Sequence, residues 1–87
     1  RVAYCLGPMG AYANYRVIPY QWLVKVPEEI PLEIIAAGFL KGMTAQYLVR
    51  RTFPVQKGMR VLVHAAAGGV GLILCQWAKF LGATVIG

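Results

Sequence analysis

The chain has 87 residues, room for one small domain, yet 59% of them are hydrophobic, more than a body of that size can hide. This composition predicts an internal piece of a larger protein, or apolar faces covered by a partner. The net charge of +6 comes from bases scattered along the chain with no run longer than Arg50-Arg51, which favours a solvated surface or an anionic ligand over a nucleic-acid partner. The longest apolar stretch, Val61 to Cys75, is interrupted by His64 and three glycines and is short for a membrane span.

The first twenty residues fall into short β-prone runs punctuated by glycine and proline. Val2-Ala3-Tyr4 predicts a strand, Leu6 to Gly10 a turn, and Ala11 to Ile18 a second strand ended by Pro19. Leu23 to Val26 predicts a third, stopped by Pro27. Together they describe part of an all-β domain. Cys5 and Cys75 lie far apart without a C-x-x-C or a histidine tract, so reduced thiols in a cytoplasmic protein are expected. Cys75 reads as a small core residue.

Pro27 to Pro31 reads as a hinge-like loop. Pro31 stands ahead of a helix whose first turn carries Glu33, where a carboxylate suits the positive end of the helix dipole. Ile34, Ile35, Gly38 and Phe39 crowd this helix, which is expected to be buried. After Gly42 a second helix is predicted over Met43 to Thr52, with Met43, Tyr47 and Arg50 or Arg51 on one side and Thr44, Leu48 and Arg51 on another. Phe53-Pro54 ends it, and Val55 to Met59 forms a polar turn.

The most informative stretch is Arg60 to Gly87. Val61, Leu62 and Val63 form an apolar run without polar alternation, predicting a central parallel strand covered on both faces. Small residues then crowd Ala65 to Gly71, where the periodicity changes from 2 to 3.6. From Val70 the apolar positions Val70, Ile73, Leu74, Trp77, Ala78 and Leu81 keep to one helical face, and Gly82 reads as its C-terminal cap. Ala83 to Ile86 opens another strand, so the segment is most of a βαβ unit.

Such a strand-to-helix turn can hold an anion. The amides of Gly69 to Leu72 are expected to lack internal acceptors, and the helix dipole adds partial positive charge there, so a phosphate would satisfy them. A Cβ on Gly68 or Gly69 would hold a diphosphate away from the backbone, and one on Gly71 would hold the helix off the strand. Against the dinucleotide fingerprint G-x-G-x-x-G the turn has Ala66, Gly68 and Gly71. The competing reading is a purely structural turn where a helix packs close to a sheet.

Two segments, Phe39-Leu40-Lys41-Gly42-Met43-Thr44 and His64-Ala65-Ala66-Ala67-Gly68-Gly69-Val70-Gly71, resemble the NADPH-dependent quinone oxidoreductases, the zeta-crystallin-like branch of the medium-chain dehydrogenase/reductase superfamily. The resemblance covers nearly the whole chain. The superfamily variant A-x-x-G-x-x-G is met by Ala65, Gly68 and Gly71. It implies an α/β fold: the end of a GroES-like β-barrel catalytic domain (residues 1–43), followed by the first βαβ unit of a Rossmann doubly wound parallel sheet (residues 44–87). The implied cofactor is NADPH, with Gly68, Gly69, Val70 and Gly71 at its diphosphate and Thr44 and Tyr47 near its nicotinamide end. A hydroxyl and a phenol at i, i+3 would share one side of a helix in any case. Packing between helices for Tyr47, and a hydroxyl bonded to its own helix for Thr44, are the structural alternatives.

The same resemblance implies hydride transfer from NADPH to a quinone or similar conjugated carbonyl by a cytoplasmic protein, a homodimer at full length, with no membrane partner. The alternatives are an alkenal or enone reductase of the superfamily, or a non-catalytic fragment or crystallin-like binding protein. The alcohol dehydrogenases of the superfamily carry a cysteine in the segment matching Gly38 to Thr44 and a four-cysteine lobe; here Leu40 stands in that segment and no cluster exists, so the chain resembles the zinc-independent branch with no metal site. His64 is expected to be a buried or capping residue. No catalytic residue is assigned. The 2′-phosphate pocket would lie about 20 residues beyond the glycines, so these 87 residues alone are expected to show no turnover.

Overall fold

A computed structural model describes residues 1–87. They divide into two units, Arg1–Phe39 and Leu40–Gly87. The architecture is α/β, with two small sheets and two α-helices.

In the first unit β1 (Val2–Ala3) pairs antiparallel with β2 (Val24–Lys25), in the register Val2↔Lys25 and Ala3↔Val24. The pairing continues through the Val26 amide, which donates to the Arg1 carbonyl at 3.1 Å and leaves Val26 buried. The Arg1 guanidinium donates to the carbonyls of Glu28 (2.7 Å) and Ile30, so the loop after β2 is tied to the start of β1. A 3₁₀ turn, Tyr20–Trp22, leads into β2.

The strand expected over Ala11 to Ile18 is not formed. Tyr12, Tyr15 and Val17 stand in solvent, because β-prone side chains make a strand only where another edge offers hydrogen bonds and a surface to pack on. What orders this segment is local: Arg16 lies over the Tyr4 ring at 4.7 Å and donates to the Pro8 carbonyl.

Helix α1 runs unbroken over Leu32–Tyr47, so the expected interruption at Gly42 is absent. Glycine weakens a helix interior by about 1 kcal/mol but does not break it unless the backbone must leave helical φ,ψ. The expected burial is also absent: Ile34 and Leu40 are more than half exposed, and only Ala45 of this helix is buried. Its end widens into a π turn, Leu48–Thr52, where the Phe53 amide donates to Leu48 at 3.1 Å. Val49, almost fully buried, anchors this turn.

The second unit also contains the predicted strand–helix–strand. β3 (Arg60–Leu62) pairs in parallel with β4 (Thr84–Ile86), with Val61 opposite Val85. Between them α2 spans Gly69–Phe80 and packs on β4. The face of α2 named from periodicity is turned inward, with Ala78 buried and Val70, Ile73, Leu74, Trp77 and Leu81 half-buried. Gly82, at φ 86°, closes the helix: its amide donates to Lys79 and that of Ala83 to Ala78, the paired bonds of a Schellman motif. β3 is not covered on both faces as expected, since Leu62 and its partner Ile86 are exposed in a two-stranded sheet. No helix is long and apolar enough to cross a membrane.

Candidate functional site

The turn from β3 to α2 is built from backbone. Ala65 adopts a left-handed conformation (φ 54°), rare for a residue with a Cβ, and this turns its carbonyl to accept the Gly68 amide at 2.8 Å. Gly68 is the N-cap of α2 in an extended conformation and offers no side chain to the helix. Its carbonyl accepts the Leu72 amide at 2.9 Å, so Leu72 is not among the open donors as expected. The amides of Gly69, Val70 and Gly71 are left without a backbone acceptor. No acidic side chain stands in the first turn of α2.

The glycines differ in what surrounds them. Gly71 is buried, and a Cβ there would run into the Ala65 carbonyl and stand 2.7 Å from the Ala66 carbonyl oxygen. Gly68 is exposed, and its Cβ would meet the Ala65 carbonyl oxygen at 3.1 Å and the Ala65 Cβ at 4.0 Å. Gly69 is exposed too, but the Cδ and Cε carbons of Lys41 lie 2.8 Å from where its Cβ would be, and Nζ lies at 3.4 Å. Both glycines are exposed, and the atoms nearest a Cβ on Gly69 belong to one flexible side chain.

Thr44 is half-buried on α1, and its hydroxyl donates to the Leu40 carbonyl at 2.9 Å. With its proton engaged, the hydroxyl keeps its lone pairs and can only accept from a further group. Tyr47, one turn later, is 47% exposed. Lys41, one turn before Thr44 on the same side of α1, is the residue that reaches Gly69, so this side of the helix borders the start of α2. The spacing of Lys41 to Thr44 could have pointed to it; its contact with Gly69 is not visible in the sequence.

His64 is exposed and makes no hydrogen bond, so it is neither the buried nor the capping histidine expected. Cys5 and Cys75 form no disulfide, and both are half-buried. On α2 an open groove of about 500 Å³ is lined by Arg50, Ile73, Gln76, Trp77 and Phe80 and does not include the glycine turn.

No family model matches the chain. A quinone oxidoreductase of Pseudomonas aeruginosa is 53% identical over all 87 residues, which amount to 27% of that protein. The chain belongs to the quinone oxidoreductase family. A Burkholderia 2-haloacrylate reductase is likewise 53% identical across the whole chain, again over 27% of its length. Among solved structures, the Escherichia coli quinone oxidoreductase complexed with NADPH superimposes with a TM-score of 0.92 at 48% identity, covering 99% of this chain and 26% of that one. The chain therefore spans about a quarter of the length of the quinone oxidoreductases it matches.

Proposed function

We propose that the whole protein is an NADPH-dependent, zinc-independent reductase that passes hydride to a quinone or a similar conjugated carbonyl. The observation that carries this is the glycine cradle. Three amides lack backbone acceptors at the start of α2, two glycines above them are exposed, and a third is buried where only glycine fits. A diphosphate suits that donor set, because it supplies the acceptors the amides lack and complements the positive helix end. In this reading residues 1–43 close a GroES-like catalytic domain and residues 44–87 open the Rossmann domain.

Each residue then has a distinct task. The backbone of Gly69 and Val70 hydrogen-bonds the diphosphate, Gly68 lets it come near, and Gly71 lets α2 sit against the turn. Bound NADPH supplies the hydride. Thr44, with its hydroxyl proton engaged by Leu40, accepts a hydrogen bond at the nicotinamide end, and Tyr47 packs or donates beside it. Their part is to orient the cofactor; none of the residues present is assigned a proton-transfer step.

The relationship to a 2-haloacrylate reductase favours one second reading, reduction of another electron-poor carbon–carbon double bond conjugated to a carbonyl. Cytoplasmic location and a homodimer belong to the same proposal. The test is titration of the full-length protein with NADPH and NADH, followed by fluorescence of Trp22 and Trp77, and then turnover over a panel of quinones, enones and haloacrylates. Tight NADPH binding with quinone turnover is the expected result. Absence of nucleotide binding would overturn the proposal, and turnover confined to enones or haloacrylates would select the second reading.

A further inference from the structure

Lys41 occupies the space in front of Gly69, with no hydrogen-bond or ion-pair partner of its own. Electrostatics alone would not put a cation there. The N-terminus of α2 carries partial positive charge, and a structural cap at that end would be an acid or a neutral acceptor. The local composition makes the mismatch sharper. Residues 40–87 contain Lys41, Arg50, Arg51, Lys57, Arg60 and Lys79 and neither Asp nor Glu, so the whole excess of six positive charges lies in this unit and no carboxylate within it can neutralise Lys41. Three amides without backbone acceptors and the positive end of the α2 dipole thus lie beside an ammonium that no side-chain carboxylate of this unit neutralises, a donor set suited to an anion.

We propose that Lys41 is a positioning residue for the cofactor diphosphate, held over the cradle as a ready counter-ion that moves aside from Gly69 when the anion binds. The inference rests on the diphosphate reading given under Proposed function. It is physically undemanding, because the atoms nearest Gly69 are the last two methylenes and the ammonium of a long, rotatable chain, which can swing without moving α1. An ammonium pairs with phosphate as a point charge and needs no fixed geometry to do so. In this structure the same side chain lies across Gly69.

The experiment uses the full-length protein with Lys41→Met and Lys41→Arg, reading the Kd of NADPH and of inorganic diphosphate by calorimetry at several salt concentrations. Lys41→Met is expected to weaken both by about tenfold and to flatten the salt dependence, because one charge-assisted contact is lost. Lys41→Arg should stay within about twofold of wild type, since it keeps the charge. Equal or tighter binding by Lys41→Met would overturn the role of Lys41 while leaving the diphosphate seat standing. Wild-type protein that binds neither ligand would overturn both.

Discussion

The carbonyl of Ala65 fills the space that a side chain on Gly71 would need. That one relationship sets how closely α2 approaches the end of β3, and it separates Gly71 from the glycines before it. Gly71→Ala should lower stability by about 2 kcal/mol in urea unfolding, an overpacking penalty partly offset by better helix propensity. The atoms nearest the new methyl of Gly69→Ala belong to the yielding Lys41 chain, so stability should change by less than about 0.5 kcal/mol, while NADPH affinity falls. Equal stability losses for the two variants would refute the distinction.

Ala65 holds a left-handed backbone at φ 54°. That conformation costs an L-residue about 1 kcal/mol, and a β-branched side chain more. Ala65→Val should therefore destabilise by about 1–2 kcal/mol. Ala65→Gly should be no less stable than wild type, because relief of strain offsets the added freedom of the unfolded chain. Thermal melts of the two variants check this.

Gly58 and Gly82 share a φ of 86° but not their surroundings. Around Gly58 there is open space, whereas a Cβ on Gly82 would stand 2.8 Å from Cγ of Lys57 and 3.3 Å from its Cα. Gly82→Ala should thus cost more than the roughly 1 kcal/mol of backbone strain expected for Gly58→Ala. Denaturant midpoints falling in the reverse order would show that the helix cap is not under this constraint.

Thr44 separates structure from binding. Its bond to Leu40 lies within a helix that already satisfies that carbonyl, so Thr44→Val should leave the melting temperature within a few degrees of wild type. If Thr44 faces the nicotinamide end, the same substitution should weaken NADPH binding about fivefold and Thr44→Ser should restore it. Calorimetry that finds wild-type affinity in Thr44→Val would remove Thr44 from the site.

Zinc independence has a direct assay. Prolonged treatment of the full-length protein with a chelator should leave quinone turnover unchanged, and elemental analysis should find no stoichiometric zinc. Activity lost to the chelator and recovered with zinc would contradict the proposal.

The sequence by itself determined the parts whose causes are local. Periodicity identified the inward face of α2, Gly82 its cap, and the runs at Val2 and Val24 two strands that do pair. Each follows from residues a few positions apart, through helix geometry or a left-handed φ that glycine alone adopts cheaply. What joins distant positions had to be decided by the tertiary structure. Ala11 to Ile18 has strand chemistry but finds no edge to pair with, and α1 runs through Gly42 because nothing there demands a non-helical backbone. The left-handed turn at Ala65 and the reach of Lys41 across Gly69, 28 positions away, leave no local trace. Hydrogen bonding and steric fit between segments are set by where the chain returns in space, and composition and spacing do not carry that information.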